Sequence, residues 1–271
     1  MNDKTHLTVP NFEPANATQN ELCVELGNND YSYALVDVKN QTVKVISAAQ
    51  TTIFNDIEGN LLQTHFAKTK ISLTTKKFTF IPTEVYHEKD LEVYSKYLNL
   101  SENEAVFVKS LEKSGITVIF AFEKHLLDKI EKYFPEAAIY PQFIPFFTGV
   151  EYAFSQISYP QLFANFKSDV IEIIIFNQHK FQFYNAFEYT NEDELLYFML
   201  LATQQNKLKP AQVMVKVSGN IDTNGAVFQK IKAQFNHTEV TDLDSLPLTY
   251  LGLNEAVMPR FFSLLSLHLC E

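Results

Sequence analysis

The chain has 271 residues, 46% hydrophobic and 20% charged, enough apolar material for one large domain or two modest ones and too much for a disordered chain. Its formal net charge is −10, and of its 22 basic residues only Arg260 is an arginine, a balance that argues against duplex DNA or RNA as a partner. Its 7 glycines stand where average usage of about 7% would place roughly 19, and no G-x-G-x-x-G, G-x-x-x-x-G-K-[ST] or G-x-S-x-G pattern occurs.

The first twenty residues lack the apolar segment of a secretory signal, and no apolar run reaches the length of a membrane span. Cys23 and Cys270 lie far apart among apolar neighbours, as buried free thiols do, and make no disulfide framework. A soluble cytoplasmic protein without a membrane span is expected. The Asn-x-Ser/Thr triplets at Asn16, Asn40, Asn99 and Asn236 then carry no meaning.

Residues 1–19 read as a loose arm with Pro10 and Pro14. From Glu21, alternating residues predict a three-stranded antiparallel meander: Leu22–Leu26, Tyr31–Val38 and Gln41–Ser47, with the turn Gly27-Asn28-Asn29-Asp30 between the first two. A helix is expected over 53–66, with Ile53, Ile57 and Leu61 on one face, then short strands at 70–75 and 78–82. A short helix at 88–98 precedes a hairpin of 105–111 and 116–122. Helix 123–134 carries Leu126, Leu127, Ile130, Tyr133 and Phe134 on one face, and helix 142–157 follows a short strand at 137–140.

The pattern then recurs. Strands at 161–166, 170–176 and 179–187 form a second meander, with Lys167-Ser168-Asp169 as its first turn. Helix 191–205 has Thr190 as the expected N-cap and Glu192, Asp193 and Glu194 in its first turn. A strand at 213–217, a helix at 222–235 and a short strand near Val240 complete the unit, leaving the apolar residues 261–270 to pack at the end. The order strand-strand-strand-helix-strand thus occurs twice, which predicts an α/β protein of two similar lobes with a cleft between them.

This doubled order resembles the actin-like ATPase (ribonuclease H-like) fold. The segments Phe78-Thr79-Phe80-Ile81-Pro82, Tyr133-Phe134-Pro135 and Val217-Ser218-Gly219-Asn220-Ile221 resemble an uncharacterised bacterial family of unknown function assigned that fold. The layout is similar to the type IV pilus assembly scaffold and the cell-division actin homologue, which carry a small α/β insert in the first lobe; residues 78–122 match that insert in order and size. The resemblance divides the chain into an arm (1–19), a first lobe (20–160) with the insert, and a second lobe (161–271).

In such ATPases an Asp-x-Gly turn in each lobe cradles the phosphates and holds Mg²⁺ through water. The resemblance places those turns at Glu25-Leu26-Gly27-Asn28 and Asn165-Phe166-Lys167-Ser168, and the adenosine-binding glycine pair at Ser218-Gly219-Asn220. The first turn keeps its glycine and a carboxylate one methylene longer. The second has neither glycine nor acid, and Asp169 is an awkward substitute. Loss of the second acid removes a metal anchor, and a Phe in the turn blocks close backbone approach, so the resemblance implies a vestigial nucleotide site without hydrolysis. Lys167 either offsets phosphate charge or is an ordinary solvated turn lysine.

The seven histidines show no i, i+4 zinc spacing, and Tyr86-His87-Glu88 sits where a helix start favours Glu anyway. The 24 Phe and 13 Tyr read as core, except that residues 140–147 hold more Phe than one helix face needs and are expected between the lobes or on a partner. Three functions follow: a catalytically silent cytoplasmic scaffold or interaction module (a pseudo-ATPase), an ATP–Mg²⁺ enzyme with an eroded site, and a homodimer or filament built through the insert.

Overall fold

The computed structural model describes residues 4–10, 12–56, 61–254 and 256–271. In the first half, β1 (Thr5–Thr8), β2 (Glu21–Leu26), β3 (Tyr31–Asp37) and β4 (Thr42–Ala49) lead into a single helical turn, α1 (Ile53–Asp56), and then β5 (Lys68–Leu73). The insert consists of β6 (Phe78–Pro82), α2 (Leu91–Ser95), β7 (Glu104–Leu111) and β8 (Ile116–Glu123). Helix α3 (Lys124–Tyr133), strand β9 (Ala138–Pro141) and helix α4 (Phe143–Phe154) return the chain to the centre. The second half contains β10 (Gln161–Phe166), β11 (Val170–Asn177), β12 (Lys180–Glu188), α5 (Glu192–Gln205), β13 (Met214–Gly219), α6 (Ala226–Gln234), β14 (His237–Val240) and α7 (Phe262–Ser266).

The strands form a six-stranded sheet, β1-β4-β3-β2-β5-β9, a five-stranded sheet, β12-β11-β10-β13-β14, and a small sheet, β6-β8-β7. The two large sheets share one plan. Glu21 of β2 faces Val36 of antiparallel β3 and Lys68 of parallel β5, while Gln161 of β10 faces Phe176 of antiparallel β11 and Met214 of parallel β13. Each meander also has its register shift at the same place, Leu35/Val36 in one and Ile175/Phe176 in the other. Central strands are buried on both faces, which is why β10 and β11 read as near-continuous apolar runs.

Side-chain alternation sends the two faces of the second sheet into different cores. Leu162, Ala164, Ile173 and Val215 pack under α5 and α6, with Leu195, Met199 and Ile231. Phe163, Ile174, Phe176 and Tyr184 join the larger core, which also holds the first sheet, α4 and the C-terminal segment. Helix α4 lies between the sheets, so eight of its twelve residues are buried. The Phe-rich segment therefore packs between the lobes: Phe143 meets Tyr184 at 4.4 Å, Phe147 meets Phe176 at 5.7 Å, and Phe146 meets Phe262 at 6.3 Å between ring centroids. Phe80 of the insert joins the same group, 5.7 Å from Tyr184.

Three expectations change and a fourth gains detail. Within the arm expected over 1–19, Thr5–Thr8 is an edge strand paired with β4, because the open edge of β4 supplies the hydrogen bonds that this weakly apolar tetrapeptide could not secure alone. The helix expected over 53–66 is helical at Ile53–Asp56 and a 3-10 turn at Leu61–Gln63, and 57–60, with Ile57, lie outside the described residues. Leu62, not Leu61, is the buried residue there. Helix α5 is capped by Asn191, not Thr190: Asn191 Oδ1 accepts from the amides of Asp193 and Glu194, while Thr190 donates its amide to Glu194. Last, Met258–Cys270 lies against β13 of the second sheet and packs as well against β2, β5 and α4. Its helices are too short to show a 3.6-residue pattern, so only tertiary burial fixes their position.

Candidate functional site

The site forms where β2 and β10 end and their hairpin turns face each other. On β2, Glu21, Cys23 and Glu25 alternate toward the C-terminal segment, and Ser263 donates to Glu25 Oε1 at 2.6 Å. On the second sheet, Asn165 of β10 lies opposite Glu172 of β11, so both side chains share one face. Asn165 Nδ2 donates to Glu172 Oε2 at 2.9 Å, Tyr184 donates to Glu172 Oε1 at 2.8 Å, and Ser218 donates to Asn165 Oδ1 at 3.1 Å.

Lys167 reaches back into this network from the second turn. Its Nζ lies 3.4 Å from Glu25 Oε1 of the first lobe and 3.2 Å from Glu172 Oε2 of the second. Burial alone would lower the ammonium's pKa, but the carboxylates of Glu172 and Glu25 outweigh it and hold the group above the ordinary lysine range. Lys167 therefore does not turn out to solvent as an ordinary turn lysine would; it is paired with two acids.

The turn tips meet directly as well. Asn28 Nδ2 donates to Asp169 Oδ2 at 3.0 Å, Ser168 donates to Asp30, and Gln50 Nε2 donates to Ser168 Oγ at 3.3 Å. Between the turns, a cavity lined by Glu25, Gly27, Lys167, Gly219, Asn220 and Arg260 among others has a volume of about 60 Å³, while on the other side of the first turn a cavity that shares Gly27 and Asp30 and runs to Thr75, Lys77 and Glu104 has about 530 Å³. The first has room for a few waters, and the second falls within the range of about 300–1,000 Å³ of small-molecule pockets. Behind the first, Gly219 has φ +85° and a Cβ there would stand 2.1 Å from the Phe166 carbonyl oxygen. That close approach lets the Asn220 amide donate to the same carbonyl at 2.6 Å.

The fold thus gathers Glu25, Gly27, Asn28, Asn165, Lys167, Ser168, Ser218, Gly219 and Asn220 around one small cleft. Asn165 and Ser218 are buried and hydrogen-bond each other, so they form a floor rather than a contact surface. Sequence reasoning missed Glu172, Asp30, Gln50 and Ser263, and it set Asp169 aside. Glu172 had a legible signal, a lone acid within the apolar run Val170–Phe176. Among the described residues, no group of three or more His, Cys, Asp or Glu could hold a metal ion, and no helix is long and apolar enough to cross a membrane.

Two copies of one strand order, an α/β insert in the first, and facing hairpin turns define an actin-like ATPase fold. The likeness to solved structures agrees. A Bacteroides thetaiotaomicron protein with an actin-like ATPase fold and unknown function is similar at a TM-score of 0.75 and 18% identity, covering 88% of this chain and 99% of that one. A chain of the PilM–PilN type IV pilus biogenesis complex is similar at a TM-score of 0.64 and 10% identity, covering 92% and 97%. The ethanolamine utilization protein EutJ from Carboxydothermus hydrogenoformans is similar at a TM-score of 0.51 and 8% identity, covering 97% and 93%. No curated protein matches the chain. Residues 9–237 match the family described as "Protein of unknown function (DUF3822)", and the chain belongs to that family.

Proposed function

We propose that this chain is a catalytically silent actin-like protein that acts as a scaffold or protein-interaction module. The observation that carries this reading is the Lys167 ammonium held between Glu25 and Glu172, where the resemblance would put a metal ion and phosphate. Phosphoryl transfer needs a positioned cation and donors around the phosphates. Here a fixed side-chain cation and crossed turns take the space between the two acids, where a cavity of about 60 Å³ is left. The similar chain from the PilM–PilN complex belongs to a protein–protein assembly, which supports a partner-holding role by analogy. With the space between the two turns filled by side chains, the reading places partner contact on the insert, where Val85, Val93, Tyr97 and Phe107 stand exposed.

The test is direct. Thermal unfolding with and without ATP–Mg²⁺ is expected to give the same midpoint, and phosphate release is expected to stay at the buffer rate. A midpoint raised by several degrees would favour the eroded-enzyme alternative instead. Turnover of ATP that disappears in Glu25→Ala would overturn the proposal.

A further inference from the structure

Glu25 and Glu172 belong to different lobes, and both face the same closed cleft; Glu172 is fully buried, and the Glu25 side chain is 18% exposed. Two carboxylates brought together out of water repel and lose hydration, so the closed arrangement requires a positive charge between them. In many proteins that charge would come from a bound ligand. Here Lys167 delivers it from within the chain, 3.4 Å from one acid and 3.2 Å from the other. The neighbouring contacts reinforce the same closure: Asn28 to Asp169, Ser168 to Asp30 and Gln50 to Ser168 all run from one lobe to the other. Ser263 fixes Glu25 from the C-terminal segment, and Tyr184 with Asn165 fixes Glu172, so both acids are held in place for the ammonium.

We infer that Lys167 is an internal latch that shuts the inter-lobe cleft without any ligand, so that the closed form is the resting state of the protein. The latch rests on the reading that side chains, and no nucleotide, fill the cleft. Arginine at this position keeps the charge, whereas methionine keeps only the stem. Removing the whole side chain leaves two facing carboxylates, which a hard divalent cation with oxygen-ligand chemistry can bridge in its place.

Hydrogen exchange read by mass spectrometry at residues 27–30 and 167–170 tests the latch. In Lys167→Met, exchange in both turns is expected to rise about tenfold or more, with helix α6 keeping wild-type protection as the sign of an intact fold. Lys167→Arg is expected to retain most of the protection. In Lys167→Ala, millimolar Ca²⁺ is expected to restore protection, and to fail in the Lys167→Ala, Glu172→Gln double variant. Unchanged exchange in Lys167→Met with the fold intact would sink the latch, as would Ca²⁺ that protects wild type and Lys167→Ala alike. If Lys167→Met does not fold, Glu25→Gln decides, since it removes the cross-lobe charge pair, keeps an amide oxygen that can accept from Ser263, and leaves Lys167 paired with Glu172. Loosened turns there support the latch, and wild-type exchange defeats it. ATP turnover by the wild type would remove the functional reading, whereas unchanged turns in these variants would remove the latch alone.

Discussion

Glu172 accepts three hydrogen-bond or ionic contacts, from Asn165, Tyr184 and Lys167, and has no water-exposed surface. Removing the Lys167 charge strands that acid. Lys167→Met is expected to lower the unfolding free energy by about 3 kcal/mol, the low end for breaking a buried pair because Lys167 itself is partly solvated. Urea denaturation measures it. A second buried charge group sits below, where Glu21 accepts from His268 Nδ1 at 3.0 Å and lies 3.4 Å from Lys70 Nζ, while His268 Nε2 faces Gln41 Oε1 at 2.9 Å. Burial pushes the Glu21 carboxyl upward, but the His268 contact and the Lys70 charge outweigh it and hold it below its ordinary value of 4.5. A depressed native value means stability that is fully present above about pH 4.5 and is lost as the pH falls through the lowered value. Urea midpoints taken between neutral and acidic pH should therefore fall more steeply in wild type than in Glu21→Gln.

Among elements, α5 offers the cleanest measurement. Asn191 Oδ1 caps two amides at 3.1 Å each, and the acids Glu192, Asp193 and Glu194 favour the positive end of the helix dipole. Asn191→Ala should cost about 1 kcal/mol, while Thr190→Ala should cost less, and comparing their chemical denaturation curves separates the two residues as caps. The loop after β13 is the second element to test. Gly219→Ala places a Cβ against the Phe166 carbonyl at φ +85°, and a loss of about 2 kcal/mol or more is expected by the same method. The helix expected over 53–66 shows what periodicity cannot supply. Apolar spacing marked Ile53 correctly as a core residue, but at the other end Leu62 is buried where Leu61 was expected, and β5 begins at Lys68.

For the whole molecule, the decisive feature is the return of the C-terminal segment into the larger core. Phe262, Leu264, Leu265 and Leu267 are buried there together with β2 residues, α4 and the inner face of the second sheet. One core therefore spans both lobes. Phe262→Ala should cost about 3–5 kcal/mol and lower the midpoint of a single cooperative transition, seen alike by tyrosine fluorescence and far-ultraviolet circular dichroism. Two separated transitions would contradict a shared core.

By itself the sequence determined the doubled meander, because strand alternation and turn residues are local and each copy repeats them, from Glu21 and again from Gln161. It also marked the two hairpin turns, since short polar stretches between apolar runs are visible locally, whereas their grouping with the Gly219 loop into one site came from the resemblance. What Lys167 touches was decided only in three dimensions. Its partner Glu25 lies 142 residues away in the chain, and no local pattern states which strands end side by side. The same holds for Ser263, 238 residues from the Glu25 that it fixes, and for residues 258–270, whose place depends on a surface built from every other part of the fold.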